Sequence, residues 1–162
     1  GVANINLKVD GSWRSLKKTK YKGNLKIGNV FFNEEGFNYP LILNANLDLE
    51  NYKTTINSAT ILSSDSAIQF TGNYTWHNAP FLNLFISGEK IDLNDIWPGI
   101  IPLEKVRKKL FNSILFNNGN ASINFKLGYY EFLFLHLNNP SGKIYLKDLE
   151  MQFYPQQQAE QI

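Results

Sequence analysis

From Leu41 to Leu49 the chain alternates without a break. Positions 41, 43, 45, 47 and 49 are Leu, Leu, Ala, Leu and Leu, while 42, 44, 46 and 48 are Ile, Asn, Asn and Asp. A period of two puts the first set on one side of an extended strand and the second on the other. Such a strand belongs in a sheet with one apolar face and one wet face, and a one-residue slip in pairing would invert it.

The same period recurs along the chain. Ala3, Ile5, Leu7 and Val9 alternate with Asn4, Asn6 and Lys8. Beyond a basic stretch (Arg14, Lys17, Lys18, Lys20, Lys22), Leu25 and Ile27 alternate, the phase slips at Gly28 and Asn29, and Val30 and Phe32 resume it. Such a slip predicts a β-bulge, and Asn33 to Gly36 reads as a hairpin loop. Further strands are expected over Thr54–Leu62, over Ile68–Trp76 with Ile68, Phe70, Gly72, Tyr74 and Trp76 on one face, and over Phe81–Ile86. The last is apolar on both faces, the pattern of a central strand covered twice.

At Ile91 the pattern changes. Asp92 to Trp97 reads as a short helical turn ended by Pro98 and Gly99. Pro102 suits the first position of a helix and Gly119 lies just past its end. Between them Leu103, Val106, Leu110 and Ile114 form one stripe, widened by Phe111 and Leu115, with Lys105, Lys108, Lys109 and Asn112 opposite. This predicts one amphipathic helix over 102–116. Strands are expected again over Ser122–Leu127, Phe132–Leu137 and Gly142–Phe153, the last with a slip at Lys147 and Asp148. Gly142–Met151 repeats the layout of Gly23–Phe32 as a strand unit.

The expected fold is therefore mostly β, with about nine to eleven strands, antiparallel because the short Gly/Asn-rich connections leave no room for crossovers. A single β domain spans 1–154, with the helix inside it, and 155–162 is a polar tail or linker. The start, Gly1 to Leu7, reads as the middle of a strand, so the chain is expected to be a piece of something longer.

Composition narrows function mainly by exclusion. A net charge of +2 is too small for the basic stripe of a nucleic-acid binder. The chain has no Cys, hence no disulfide, thiolate metal site or Cys nucleophile. No stretch approaches the roughly 18 consecutive apolar residues of a membrane span. His77 and His136 each stand apart from any acidic or hydroxyl pattern that would orient a general base. Asp92 and Asp95 suit a helix start. No phosphate loop occurs, since the glycines are spread at strand ends. The expectation is a protein that is not an enzyme, with no catalytic residue, no metal site and no cofactor.

Gly142, Ile144, Leu146, Asp148 and Leu149 resemble the Gly-x-apolar-x-Leu-x-Asp-apolar strand that recurs in the AsmA-like family of the bacterial envelope (YhdP- and TamB-type proteins), a group related to the repeating β-groove lipid-transfer proteins. The run Ser63–Gly72, entering Thr71-Gly72, and the run Pro80–Leu93 look like further habits of that family. The resemblance covers roughly Gly23–Leu93 and Gly142–Phe153, and the 102–116 helix does not map onto it. It implies a strongly curved antiparallel sheet, groove-like or taco-like, that holds acyl chains. It also implies a periplasmic protein anchored to the inner membrane by a segment outside this chain, with roles in (phospho)lipid transport between membranes or outer-membrane homeostasis.

Two functions of different class follow. In the first, Leu41, Leu43, Leu47, Leu49, Ile68, Phe70, Tyr74, Leu82, Leu84 and Ile86 bind phospholipid or another acyl-chain lipid. Lys105, Lys108 and Lys109 then meet a membrane surface, where each Lys contributes about 1 kcal/mol near anionic head groups. Neighbouring β segments of the same protein would extend the sheet, and the isolated domain would dimerise edge to edge. In the second, the same apolar face is the closed core of a structural or adhesive β domain that recognises a protein or glycan through Trp13, Trp76 and Trp97.

Overall fold

The computed structural model describes residues 1–11, 20–32, 39–76, 79–92, 120–132, 135–147 and 150–155. Among these residues there are ten strands: β1 (Val2–Asp10), β2 (Lys20–Phe32), β3 (Leu41–Glu50), β4 (Lys53–Ser63), β5 (Ser66–Thr75), β6 (Phe81–Asp92), β7 (Asn120–Phe132), β8 (Leu135–Asn138), β9 (Ser141–Lys147) and β10 (Glu150–Pro155). All ten join one sheet in the order β1-β2-β3-β4-β5-β6-β7-β9-β10, with β8 also on β7. The described sheet does not close on itself, because β1 and β10 end it on opposite sides.

Neighbours from β1 to β6 are antiparallel along the chain, with turn chemistry that explains why. Glu50 pairs Lys53 around a two-residue turn in which Asn51 has φ 35°, a conformation Asn tolerates better than most residues. Asn51 is also pinned to β2: its N–H donates to the Tyr21 carbonyl at 3.0 Å, and its Oδ1 accepts from the Tyr21 N–H at 2.9 Å. Ser63 pairs Ser66 around a second such turn, with Ser64 at φ 48°.

The register decides which residues share a face, since directly paired residues point the same way. Ala3, Ile5 and Leu7 pair Ile27, Leu25 and Gly23. Leu25 and Ile27 pair Leu47 and Ala45, and Val30 and Phe32 pair Leu43 and Leu41. The face continues through Ile61 to Ile68, Ala59 to Phe70, and Thr54 to Tyr74. It then runs to Ile86, Leu84 and Leu82 on β6, Phe125, Ile123 and Ala121 on β7, and Ile144 and Leu146 on β9.

Two irregularities keep this face apolar. The β2–β3 register shifts between Ile27 and Val30, at the expected bulge, where Asn29 takes φ 51° and its N–H donates to Asn44 Oδ1 at 2.9 Å. On β4 the register shifts around Asn57 and Ser58 against both neighbours, so Ile56 stays on the side of Ala59 and Ile61. Paired without a bulge, each of these sequences would turn its apolar set over halfway along.

Several expectations are corrected. β6 and β7 are parallel, which short connections would forbid, and the pair falls at the longest connection, residues 93–119. Those residues lie outside the described ones, so the helix expected at 102–116 and the turn at Asp92–Trp97 are not described beyond Asp92, which is in β6. The single strand expected over Gly142–Phe153 is two: Lys147 pairs Glu150, and the chain reverses into β10. The strand expected over Phe132–Leu137 is divided between β7 and β8. β8 and β9 run on without a register slip, with Tyr129 opposite Asn138 and Lys126 opposite Ser141, and the strand is interrupted only at Asn139 and Pro140. β6 is central but not covered twice, since Phe81 and Phe85 stand exposed on the second face.

Candidate apolar binding face

All ten apolar residues singled out from the sequence lie on the one face. Leu41, Leu43, Leu47 and Leu49 are half-buried on β3, Phe70 and Tyr74 on β5, and Leu82, Leu84 and Ile86 on β6, while Ile68 is buried. Opposite, Asn24 binds the polar face together. Its Nδ2 donates to Asn46 Oδ1 (2.8 Å), Asp48 Oδ1 (2.9 Å) and the Leu47 carbonyl (3.0 Å). Asn57 donates to the other oxygen of Asp48 at 2.8 Å. The hydrogen bonds from Asn57 and then Asn24 hold the Asp48 carboxyl below its ordinary range.

Burial is concentrated mid-sheet. Ile68, Ile91 and Leu127 form a buried cluster, with Phe70, Ile86, Phe125 and Tyr130 packed against it. Burial raises the Tyr130 phenol above its ordinary range. Ser66 is buried too, its Oγ accepting from the Asp92 N–H at 2.9 Å, which ties the start of β5 to the end of β6.

Beside the cluster lies an apolar cavity of about 740 Å³. It is lined by Ile86, Ile123, Phe125 and Leu127 of β6 and β7, by Ile144 and Phe153 of β9 and β10, and by Leu137 with residues 138–141, where β8 runs on into β9. Phe125 and Phe153 stack with ring centroids 5.9 Å apart. Only Ile86 of the ten residues borders this cavity. Ile123, Phe125, Leu127, Ile144 and Phe153 were not among the expected site residues, although the same alternation runs through 121, 123, 125 and 127.

His136 is less isolated than the sequence suggested. The hairpin of β7 and β8 pairs it with Glu131, and the Tyr129 hydroxyl lies 2.8 Å from His136 Nδ1 while donating to Glu131 Oε2 at 3.1 Å. Desolvation, then the Glu131 contact, raises the Tyr129 phenol above its ordinary value. Among the described residues no group of three or more His, Cys, Asp or Glu is placed to hold a metal ion. Lys105, Lys108, Lys109, His77, Trp13 and Trp97 lie outside the described residues. Trp76 is half-buried, with its ring 5.7 Å from that of Tyr74. The chain matches no family model, no curated protein and no solved structure.

Proposed function

We propose that this chain is a lipid-binding segment of a larger envelope protein of the AsmA-like kind, in which a curved sheet holds acyl chains against its apolar face. The observation that carries the reading is the continuity of that face, which register and bulges maintain from β1 to β9. An apolar cavity of about 740 Å³ on the same face falls in the size range of small-molecule sites. Each methylene moved from water onto such a surface gains about 0.8 kcal/mol, so even part of one acyl chain has a useful driving force. Phospholipid is the ligand, the periplasm the compartment, and lipid transport between membranes or outer-membrane homeostasis the role, with an anchor outside this chain.

The test is native mass spectrometry and solvent extraction of the purified chain. Phospholipid at stoichiometric amounts is the expected result. A clean apo mass, with no uptake of lipid from vesicles, overturns it. The second reading, a closed β domain that binds a protein or glycan, is favoured by one observation: Ile91 and Ala121 are only 2% and 1% exposed. In that case a charge at Ile123 unfolds the domain, whereas on an open lipid face it leaves the fold intact and removes lipid.

A further inference from the structure

We propose that β1 is a dimerisation edge, on which a second copy of this chain lays its own β1 antiparallel about a two-fold axis at Asn6. The inference does not rest on the lipid reading; it rests on which backbone groups the edge presents and on the sequence that presents them.

The Tyr21 carbonyl accepts from Asn51, in the turn that directly follows β3, so on β2 the groups of Tyr21, Gly23, Leu25 and Ile27 are directed at β3 and those between them at β1. Asn24 and Lys26 accordingly make the hydrogen-bonded pairs with Asn6 and Asn4. A Cβ built on Gly23 would run into the Asn6 carbonyl oxygen, as expected if that carbonyl is directed inward. The N–H and C=O groups of Ala3, Ile5, Leu7 and Val9 are then the outward ones. No described strand pairs them, and all nine residues of β1 are exposed.

This edge is not blunted. β1 carries no Pro and no bulge, and its only cation is Lys8. The opposite edge, β10, has six residues, begins at Glu150 and ends at Pro155, which has no N–H to offer.

The sequence of β1 is also complementary to its own reverse. With Asn6 opposite itself, Ile5 faces Leu7 of the second copy and Ala3 faces Val9, so the outward groups meet outward groups. Apolar residues then lie beside apolar residues on the shared face. On the polar face Asn4 meets Lys8 and Val2 meets Asp10, so no like charges are opposed. A shift of one residue would set outward groups against inward ones, and a shift of two would shorten the ladder. The pairing fuses two ten-stranded sheets through a closed, isologous contact.

Because the chain has no Cys, the register is testable with single Asn6→Cys and Asn4→Cys variants under mild oxidation, beside sedimentation equilibrium of the unmodified chain and of Ile5→Pro. On the axis, Asn6 Cα atoms would sit about 4.5 Å apart, within disulfide range. Asn4 would be roughly 13 Å from its own copy at about 3.3 Å per residue. The expected result is a concentration-dependent dimer that Asn6→Cys traps and Asn4→Cys does not. Ile5→Pro removes one outward N–H while sparing the inward pairs, and should be monomeric with unchanged circular dichroism. A monomeric unmodified chain, an open-ended polymer (the sign of β1 meeting β10), or equal trapping of both Cys variants overturns the proposal. So does a dimer that survives in a folded Ile5→Pro variant. If Ile5→Pro fails to fold, the Cys pair decides alone.

Discussion

β1 and the strands β5–β7 carry the same alternation on the same face, yet they end in opposite environments. Ile5, Leu7 and Val9 are 67%, 45% and 49% exposed, whereas Ile68, Ala121 and Leu127 are 9%, 1% and 9% exposed. The difference is one of neighbours. A residue on β6 has strands on both sides and large side chains on each, such as Phe70 and Phe125; among the described residues β1 has one neighbouring strand, with Gly23 opposite Leu7. Alternation therefore states which way a side chain points, while its place in the strand order states whether it is buried.

The sharpest way to break this comparison is to place the same charge in both regions. Ile91→Asp buries an unpaired carboxylate and should cost about 4 kcal/mol or more, a large part of the about 5–15 kcal/mol that stabilises a typical domain. Leu7→Asp, on the exposed edge, should cost less than about 1 kcal/mol. Urea denaturation followed by circular dichroism, at concentrations low enough to keep the chain monomeric, measures both. Equal costs would mean that the mid-sheet cluster is not the core.

Truncation gives the next effect in size. Leu127→Ala should cost about 2–4 kcal/mol, because the cluster loses contacts it cannot replace. Ile5→Ala should stay within about 0.5 kcal/mol. If Leu127→Ala proves as mild as Ile5→Ala, the cavity beside Leu127 already relieves the packing there.

How much of this was legible in the sequence depends on what alternation can encode. The face of β3 could be read directly, since five apolar positions at period two admit one assignment. Strand direction could not, because a strand reads the same in a parallel or an antiparallel pair, and so the β6–β7 pairing was missed. A slip of phase is also ambiguous. At Gly28 and Asn29 it is a bulge within one strand, but at Lys147 and Asp148 it is a reversal of the chain, although the flanking residues look alike. The cavity depends on that reversal, which brings Phe153 opposite Ile144. The contacts of His136 likewise depend on the β7–β8 register, which sets Glu131 across from it.

Glycine substitutions sharpen the comparison at the level of the backbone. Gly72, on β5, has φ 150°, and a Cβ there would run into the Asn83 carbonyl oxygen. Gly72→Ala should cost about 2 kcal/mol, combining strain at positive φ with displacement of β6. Gly28, opposite β1, has nothing nearer than the Val2 oxygen at 3.9 Å. Gly28→Ala should be neutral or stabilising by about 0.5 kcal/mol, since Gly in a strand costs entropy. Opposite signs at the two positions would confirm that the backbone of β6 excludes a Cβ at Gly72 while β1 leaves room for one at Gly28.

The smallest effect belongs to the polar face of β3, between the two regions. Hydrogen bonds from Asn57 and Asn24 lower the folded-state pKa of Asp48 below its unfolded value. The sign follows from linkage: the stabilisation is fully present above the unfolded carboxyl pKa and is lost as pH falls through the folded one. The group is exposed, so the loss should be slight and visible only in the acid limb, below about pH 4. Comparing unfolding midpoints of the unmodified chain and Asp48→Asn between neutral and acid pH isolates it. Asp48→Asn should flatten the acid limb slightly while leaving the neutral-to-alkaline part of the profile in place. An unchanged acid limb would mean that Asn24 and Asn57 serve the bulge geometry of β4 alone. In that case the polar face, like β1, would direct the fold without stabilising it.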